Sequence, residues 1–307
     1  MEKRNQAGNQ LTPPLIEVTH LWKVFGGARA GLGPDNIEAL AKKEENGVVH
    51  AVHDVSFKVN KGEVFVIMGL SGSGKSTLIR CLARLIEPTA GHIRINGQDV
   101  ATMREQELTA FRRSEIAMVF QHYGLLPHRT VLENVAFGLK LRGEKQNERQ
   151  KKALKAIKNV GLSGWEKHHP AQLSGGMQQR AGLARALVQN TAILLMDEPF
   201  SGLDPLIRRE MQDELLRLQR ELQKTIIFVT HDLNEALRLG DRMAVMNKGK
   251  FVQVGTPREI VQRPADEYVQ RFVQDERRLF YPDDENQTKS QQFKKIPPHK
   301  ELQKTMP

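Results

Sequence analysis

Cysteine is almost absent: Cys81 is the single example among 307 residues. One thiol supports neither a disulfide framework nor a cysteine-based zinc site. Long hydrophobic runs are also missing. The longest, such as Val64-Phe-Val-Ile-Met68 and Ala192-Ile-Leu-Leu-Met196, have strand length, far short of the roughly 18 apolar residues of a membrane span. Met1-Glu-Lys-Arg-Asn-Gln6 leads into no apolar segment, so no signal peptide is read and the cytoplasmic side is the expected location. No long basic block is interleaved with aromatic residues. The net charge of +10 is spread along the chain, with modest clusters at Lys151-Lys152, Arg208-Arg209 and Lys294-Lys295. Specific nucleic-acid binding is therefore not expected, and nearness to anionic lipid headgroups accounts for the charge equally well. What is present, 39% apolar and 27% charged residues, fits an ordinary α/β chain with length for one large domain.

Hydropathy patterning divides the chain. Residues 1–14 are polar and read as a loose leader. Leu15 to Phe25 reads as a strand with Ile16, Val18, Leu21 and Val24 as its apolar positions. Residues 26–50 carry Gly-Gly, Gly-Leu-Gly-Pro and a charged run, and read as an insertion with one short helix around Ile37 to Lys43. Val55, Phe57 and Val59 alternate as a half-buried strand does, whereas Val64 to Met68 is apolar throughout and predicts a central strand covered on both faces. Residues 104–189 are mostly helical in pattern, interrupted by a short strand at Ile116 to Phe120. Strands return at Ala192 to Met196, Thr225 to Val229 and Met243 to Met246, with helices between them, which predicts a mainly parallel sheet. After Val273 the composition turns polar, and residues 274–307 read as a disordered tail. There are no internal repeats.

Gly69-Leu-Ser-Gly-Ser-Gly-Lys-Ser-Thr77 sits between the buried strand and a helix whose apolar face is Leu78, Leu82, Leu85 and Ile86. Its glycines, Gly69, Gly72 and Gly74, let successive N–H groups turn inward as an anion-holding nest at a helix N-terminus, with Ser71, Ser73 and Thr77 completing the loop. Lys75 can reach the β- and γ-phosphates of a nucleotide, and the Ser76 hydroxyl can bind Mg²⁺.

Ile193-Leu-Leu-Met-Asp-Glu198 is a second apolar strand, and it ends in two acids. Ligands of parallel sheets bind at the carboxyl ends of strands, so Asp197 and Glu198 are expected beside the phosphate loop. Adjacent strand residues point to opposite faces, which suits two roles: one acid for Mg²⁺, the other for the attacking water. His231 follows the apolar strand Ile226-Ile-Phe-Val229 and is expected at the same edge. Gln121 ends its own strand there and offers a neutral amide to Mg²⁺ or water. Ser201-Gly-Leu-Asp204 follows the acids and suits a turn between subunits.

Leu173-Ser-Gly-Gly-Met-Gln-Gln-Arg180 adds a second anion site. Ser174 is placed to cap a helix whose first N–H groups, beside Gly175 and Gly176, are left clear of side chains. One chain needs one γ-phosphate site for its own nucleotide, so a second suggests that a partner's nucleotide is held there. This segment, in its order between loop and acids, resembles the family motif of ABC ATPases, over roughly residues 15–273. The resemblance implies a RecA-like, mostly parallel core sheet, an antiparallel β subdomain, and an inserted helical subdomain at about 122–172. It also implies head-to-tail pairing of two copies around ATP and Mg²⁺, docking on an integral-membrane permease, and indirect service to a solute-binding protein.

Carried onto this sequence, the family pattern has Phe25 stacking on adenine, with Trp22 a nearby competitor. Glu198, His231, Gln121 and Lys75 are the catalytic set, and Ser76, Gln121 and Asp197 the metal set. Ser174, Gly175 and Gly176, together with Gln178 and Asp204, close over the partner's nucleotide. The segment His122-Tyr-Gly-Leu-Leu-Pro-His128 is expected to meet the permease. Within the family the chain resembles the quaternary-amine importers, which take up glycine betaine, proline or related osmolytes. The stretches that carry this are Val66-Ile-Met-Gly-Leu-Ser-Gly-Ser-Gly74, Ile116-Ala-Met-Val-Phe-Gln121, Asp204-Pro-Leu-Ile-Arg-Arg-Glu-Met-Gln-Asp-Glu-Leu215 and Gly240-Asp-Arg-Met-Ala-Val-Met246. Shorter relatives that import choline, histidine or methylated amines are the alternative. Many osmolyte members add a paired regulatory domain, and here a short polar tail is read instead. Soluble ABC ATPases of DNA maintenance fit less well, since no long heptad run separates the motifs. P-loop kinases and GTPases leave Leu173 to Met177 and His231 unexplained.

Overall fold

Apolar patterning builds two sheets. The computed structural model describes residues 13–26, 47–121 and 124–280. The expected insertion helix, His122, Tyr123 and residues 281–307 lie outside them. In chain order the elements begin with β1 (Ile16–Phe25), β2 (Val49–Val59), β3 (Val64–Met68), α1 (Lys75–Leu82), β4 (Ala90–Ile95), β5 (Gln98–Asp99), α2 (Glu105–Ser114) and β6 (Ile116–Val119). Next come α3 (Val131–Val135), α4 (Phe137–Leu141), α5 (Gln146–Asn159), α6 (Gly175–Leu187), β7 (Ile193–Asp197) and α7 (Pro205–Leu222). The rest are β8 (Thr225–Thr230), α8 (Leu233–Leu239), β9 (Arg242–Asn247), β10 (Lys250–Gly255), α9 (Pro257–Gln262) and α10 (Glu267–Phe280).

The larger sheet runs β10-β9-β3-β8-β7-β6. Its β9, β3, β8, β7 and β6 are mutually parallel, and β10 is an antiparallel edge. Every residue of β3, β7 and β8 is buried, as expected of strands covered on both faces. The smaller sheet, β2-β1-β4-β5, is antiparallel. Here Val55, Phe57 and Val59 of β2 point inward while Asp54, Ser56 and Lys58 face water. Strands β4, β5 and β10 carry little sequence signal: β5 is two residues long, β10 has no buried residue, and Ala90-Gly-His-Ile-Arg-Ile95 buries only Ile93 and Ile95.

Packing follows these layers. One core fills the space between the two sheets and buries α1 through Leu78, Ile79 and Leu82. A second covers the opposite face of the large sheet beneath α7, α8 and α10. A third belongs to the helical segment, where Val131, Val135, Ala153, Ile157 and Leu162 meet Leu173, Ala181 and Ala184. That helical core therefore continues past residue 172 into α6. α10 reaches Phe280, past the start of the expected tail, because Val269 and Val273 anchor it on the second core.

Candidate active site

The phosphate loop is shaped by backbone geometry that side chains would obstruct. Gly74, at φ +104°, precedes α1 with no side chain capping the helix, so the first-turn N–H groups face the loop. A Cβ on Gly74 would lie 1.9 Å from the Ala51 carbonyl oxygen, and one on Gly69 2.2 Å from that of Met246. Ser71 and Gly72 are exposed, and Thr77 is half-buried. Ser73 is 5% exposed, yet its hydroxyl has no protein partner. Lys75 is buried and donates to the carbonyls of Gly69 (2.7 Å) and Leu70 (2.9 Å). Burial pulls its ammonium below the ordinary lysine value, opposed by the Glu198 and Asp197 carboxylates. Cys81, farther along α1, has its thiol pushed up to about 12 by burial, so it takes no part in thiolate chemistry.

The acids stand where the parallel sheet predicts, but not as opposite faces of one strand. β7 ends at Asp197, and Glu198 turns into the left-handed region at φ +48°. Its backbone N–H still donates to Val229 of β8 (3.0 Å). The two carboxylates meet different partners. Asp197 is fully buried and accepts from Ser76 Oγ at 2.7 Å and Arg80 Nη2 at 3.1 Å. Glu198 Oε2 lies 3.2 Å from Gln121 Nε2 and 3.4 Å from His231 Nδ1. The Glu198 side chain is 16% exposed and that of His231 59%. Strand ends β6, β7 and β8 thus gather an amide, a carboxylate and an imidazole beside the loop that follows β3.

Other expected residues fall into two groups. Phe25 closes β1 opposite Val49; it is half-buried, with the Lys23 ammonium 4.8 Å from its ring centroid. Trp22 is 5% exposed and packs on His53 at 4.3 Å, so Phe25 is the ring left at the surface. Ser174 caps α6 by accepting from Met177 N (3.3 Å), with Gly175 and Gly176 opening the first turn. No hydrogen bond or ion pair joins these three to the phosphate loop among the described residues. Gln178 donates to the carbonyls of Pro170 (3.1 Å) and Leu173 (3.3 Å), bracing the turn before α6. Asp204 caps α7, accepting from Leu206 N (3.0 Å). Sequence reasoning missed Arg80. Its signal was available, since it sits four residues after Ser76 and so on the same helix face.

No group of three or more His, Cys, Asp or Glu side chains gathers as a metal cage among the described residues. The Ser76 hydroxyl and Asp197 carboxylate are instead a pair of hard oxygens at the loop. Mg²⁺, which takes one or two protein oxygens and fills its shell with phosphate and water, fits that set.

Fold and site together define a phosphate-loop α/β domain with a strand-end carboxylate. The ABC transporter family pattern matches residues 52–201. The chain is 54% identical over 266 residues to the glycine betaine transport ATP-binding protein OpuAA of Bacillus subtilis (strain 168), covering 86% of this chain and 64% of that one. It is 53% identical to the glycine betaine/proline betaine ATP-binding protein ProV of Escherichia coli (strain K12), covering 84% and 65%. The trimethylamine N-oxide transport ATP-binding protein TmoW of Pelagibacter ubique (strain HTCC1062) is 51% identical, covering 86% and 78%. The dimeric post-hydrolysis cassette MJ0796, bound to ADP and Pi, superposes with a TM-score of 0.69 at 32% identity, covering 79% and 98%. The chain belongs to the ABC transporter ATP-binding family. It spans 64% and 65% of the length of the two glycine betaine relatives.

Proposed function

We propose that this chain hydrolyses ATP to power uptake of a quaternary amine such as glycine betaine or proline betaine. It works at the cytoplasmic face of the membrane, as a head-to-tail pair docked on an integral-membrane permease that a solute-binding protein supplies. The observation that carries this reading is the Glu198 carboxylate, held 3.2 Å from Gln121 Nε2 and 3.4 Å from His231 Nδ1 beside the phosphate loop. The names of the 51–54% identical relatives support the solute class. Among them the trimethylamine N-oxide protein favours a methylated amine as the second reading.

In this reading the loop N–H groups and Lys75 bind the β- and γ-phosphates of the substrate, ATP, while Phe25 stacks on the base. Ser76 and Asp197 would hold Mg²⁺, with Gln121 near its shell; when bound, the ion offsets negative charge on the phosphates. Ser174, Gly175 and Gly176 of the second copy complete the pocket, so closure of the pair is driven by contacts that neither copy makes alone. Glu198 orients water in line with the γ-phosphorus and takes its proton as the new O–P bond forms. The bond from phosphorus to the β–γ bridging oxygen breaks and ADP is released. His231 and Gln121 fix the Glu198 carboxylate.

Glu198→Gln keeps the shape and removes the base. Turnover should fall by about 10²–10⁴, with an ATP-bound dimer accumulating on gel filtration. Hydrolysis at the parental rate by this variant contradicts the assignment.

A further inference from the structure

His231 presents a difficulty of positioning. Its side chain is 59% exposed, so little packing fixes the ring, and its place near Glu198 depends on the backbone of the loop between β8 and α8. Both neighbours in that loop are tied down. The backbone N–H of Asp232 donates to Thr230 Oγ1 (3.0 Å), and that hydroxyl donates to Glu235 Oε2 (2.7 Å). Asp232 Oδ1 caps α8, accepting from Asn234 N (2.9 Å) and Glu235 N (3.4 Å).

The other Asp232 oxygen, Oδ2, accepts from Arg208 Nη1 at 3.0 Å. Arg208 comes from a different element, the first turn of α7. Its Nη2 reaches back to the Leu203 carbonyl (3.4 Å), and its Nε lies 3.9 Å from Glu235 Oε1. Leu203 belongs to the turn that leaves the catalytic acid, where Ser201 donates to the Glu198 carbonyl through its N–H (3.3 Å) and its hydroxyl (2.9 Å). The contacts therefore form a ring. They leave Glu198 through its backbone, cross the Ser201–Leu203 turn, pass through Arg208 to Asp232, and return through His231 to the Glu198 carboxylate. Arg238, the neighbouring cation, is engaged elsewhere, on Gln212 (3.0 Å) and Asp213 (2.6 Å).

We infer that Arg208 is a positioning residue: its guanidinium locks the His231 loop to the turn after Glu198, and so holds the imidazole against the carboxylate. The role calls for arginine in particular. A planar fork can serve a carbonyl and a carboxylate at once, which a single ammonium on a flexible stem does poorly. This inference rests on the hydrolytic reading above.

Steady-state ATPase kinetics of the full chain test it. Arg208→Gln should lower kcat about tenfold with KM for ATP within about twofold, and Arg208→Lys should recover part of the loss. The decisive arm is the double variant. In a His231→Ala background, Arg208→Gln should cause no further loss, because residues acting through one another are non-additive. Asp232→Asn keeps a good helix cap while removing the charge that Arg208 binds; it should repeat the kcat loss, and it decides the matter if Arg208→Gln fails to fold. The inference is overturned by parental kcat in the folded variants, by a loss that falls on KM alone, or by a loss of the same size with and without His231. A parent chain that never hydrolyses ATP overturns the hydrolytic reading itself, and this inference falls with it.

Discussion

Substituting alanine at two neighbouring loop glycines should have very different consequences, and the difference can be worked from geometry. At Gly74, φ is +104° and a Cβ would lie 1.9 Å from the Ala51 carbonyl oxygen and 3.0 Å from Met246 Cε. The left-handed backbone costs an L-residue about 1–2 kcal/mol, and clearing a backbone oxygen from that distance costs about 1–3 kcal/mol more. Gly74→Ala should therefore lose about 2–5 kcal/mol. At Gly72, φ is +77° and nothing lies within 4 Å of the added Cβ, leaving the backbone term of about 1–2 kcal/mol. At about 2–4 °C per kcal/mol, Tm should fall by about 4–20 °C for Gly74→Ala and by about 2–8 °C for Gly72→Ala. Because Leu78 N donates to the Gly74 carbonyl (2.9 Å), displacing Gly74 also tilts the first turn of α1, and ATP affinity should fall further than stability does. Thermal unfolding without nucleotide, paired with ATP titration, reads both quantities. Equal Tm losses for the two variants, or parental ATP affinity in Gly74→Ala, would refute the reasoning.

Three further outcomes are expected. Phe25→Ala should raise KM for ATP about two- to tenfold, the worth of one aromatic stack, at near-parental Tm. Trp22→Ala, which empties a buried site, should cost about 3–5 kcal/mol of stability, readable in denaturant melts. Burial holds the Glu235 carboxyl above its ordinary value of 4.5, with Asp232 also raising it and Thr230, Arg208 and His231 opposing. The folded state therefore binds more protons than the unfolded state in the window above pH 4.5, so this group's contribution to stability falls as pH rises there. Glu235→Gln should flatten that slope in Tm measured from pH 4 to 8; parallel curves for parent and variant count against it.

Much of the site could be read from the sequence because strand ends are legible. An apolar run such as Val64–Met68 or Thr225–Thr230 is buried on both faces, and the first polar residue beyond it must emerge at the sheet's carboxyl edge. That logic placed Gly69, Gln121, Asp197, Glu198 and His231 together. It failed for the relation between the two acids. A period-two pattern assumes that the strand continues, whereas β7 ends at Asp197 and Glu198 takes a left-handed φ of +48°; Pro199 marks the end of the strand but not that conformation. It was also blind to Arg208, which reads as one more surface charge in the Arg208-Arg209 pair. Its meaning comes only from tertiary proximity to Asp232 and Leu203.

The topology also favours the proposed pairing of two copies. Gln121, Glu198 and His231 stem from β6, β7 and β8, neighbouring strands of one rigid sheet, with the phosphate loop on the adjoining β3. Ser174 sits instead at the head of α6, where Leu173, Ala181 and Ala184 are built into the separate helical core. The first turn of α6 is thus rooted in the helical core, while the same helix is fastened to the sheet farther along by Leu183 and Ala186. Two well-packed units close on one nucleotide either by a large internal rearrangement or by each serving a neighbour. The buried α6 contacts with β6, through Leu183 and Ala186 against Ala117 and Val119 in the second core, resist the first. Pairing of two copies requires neither core to be broken, which is why the proposed catalytic unit is a dimer.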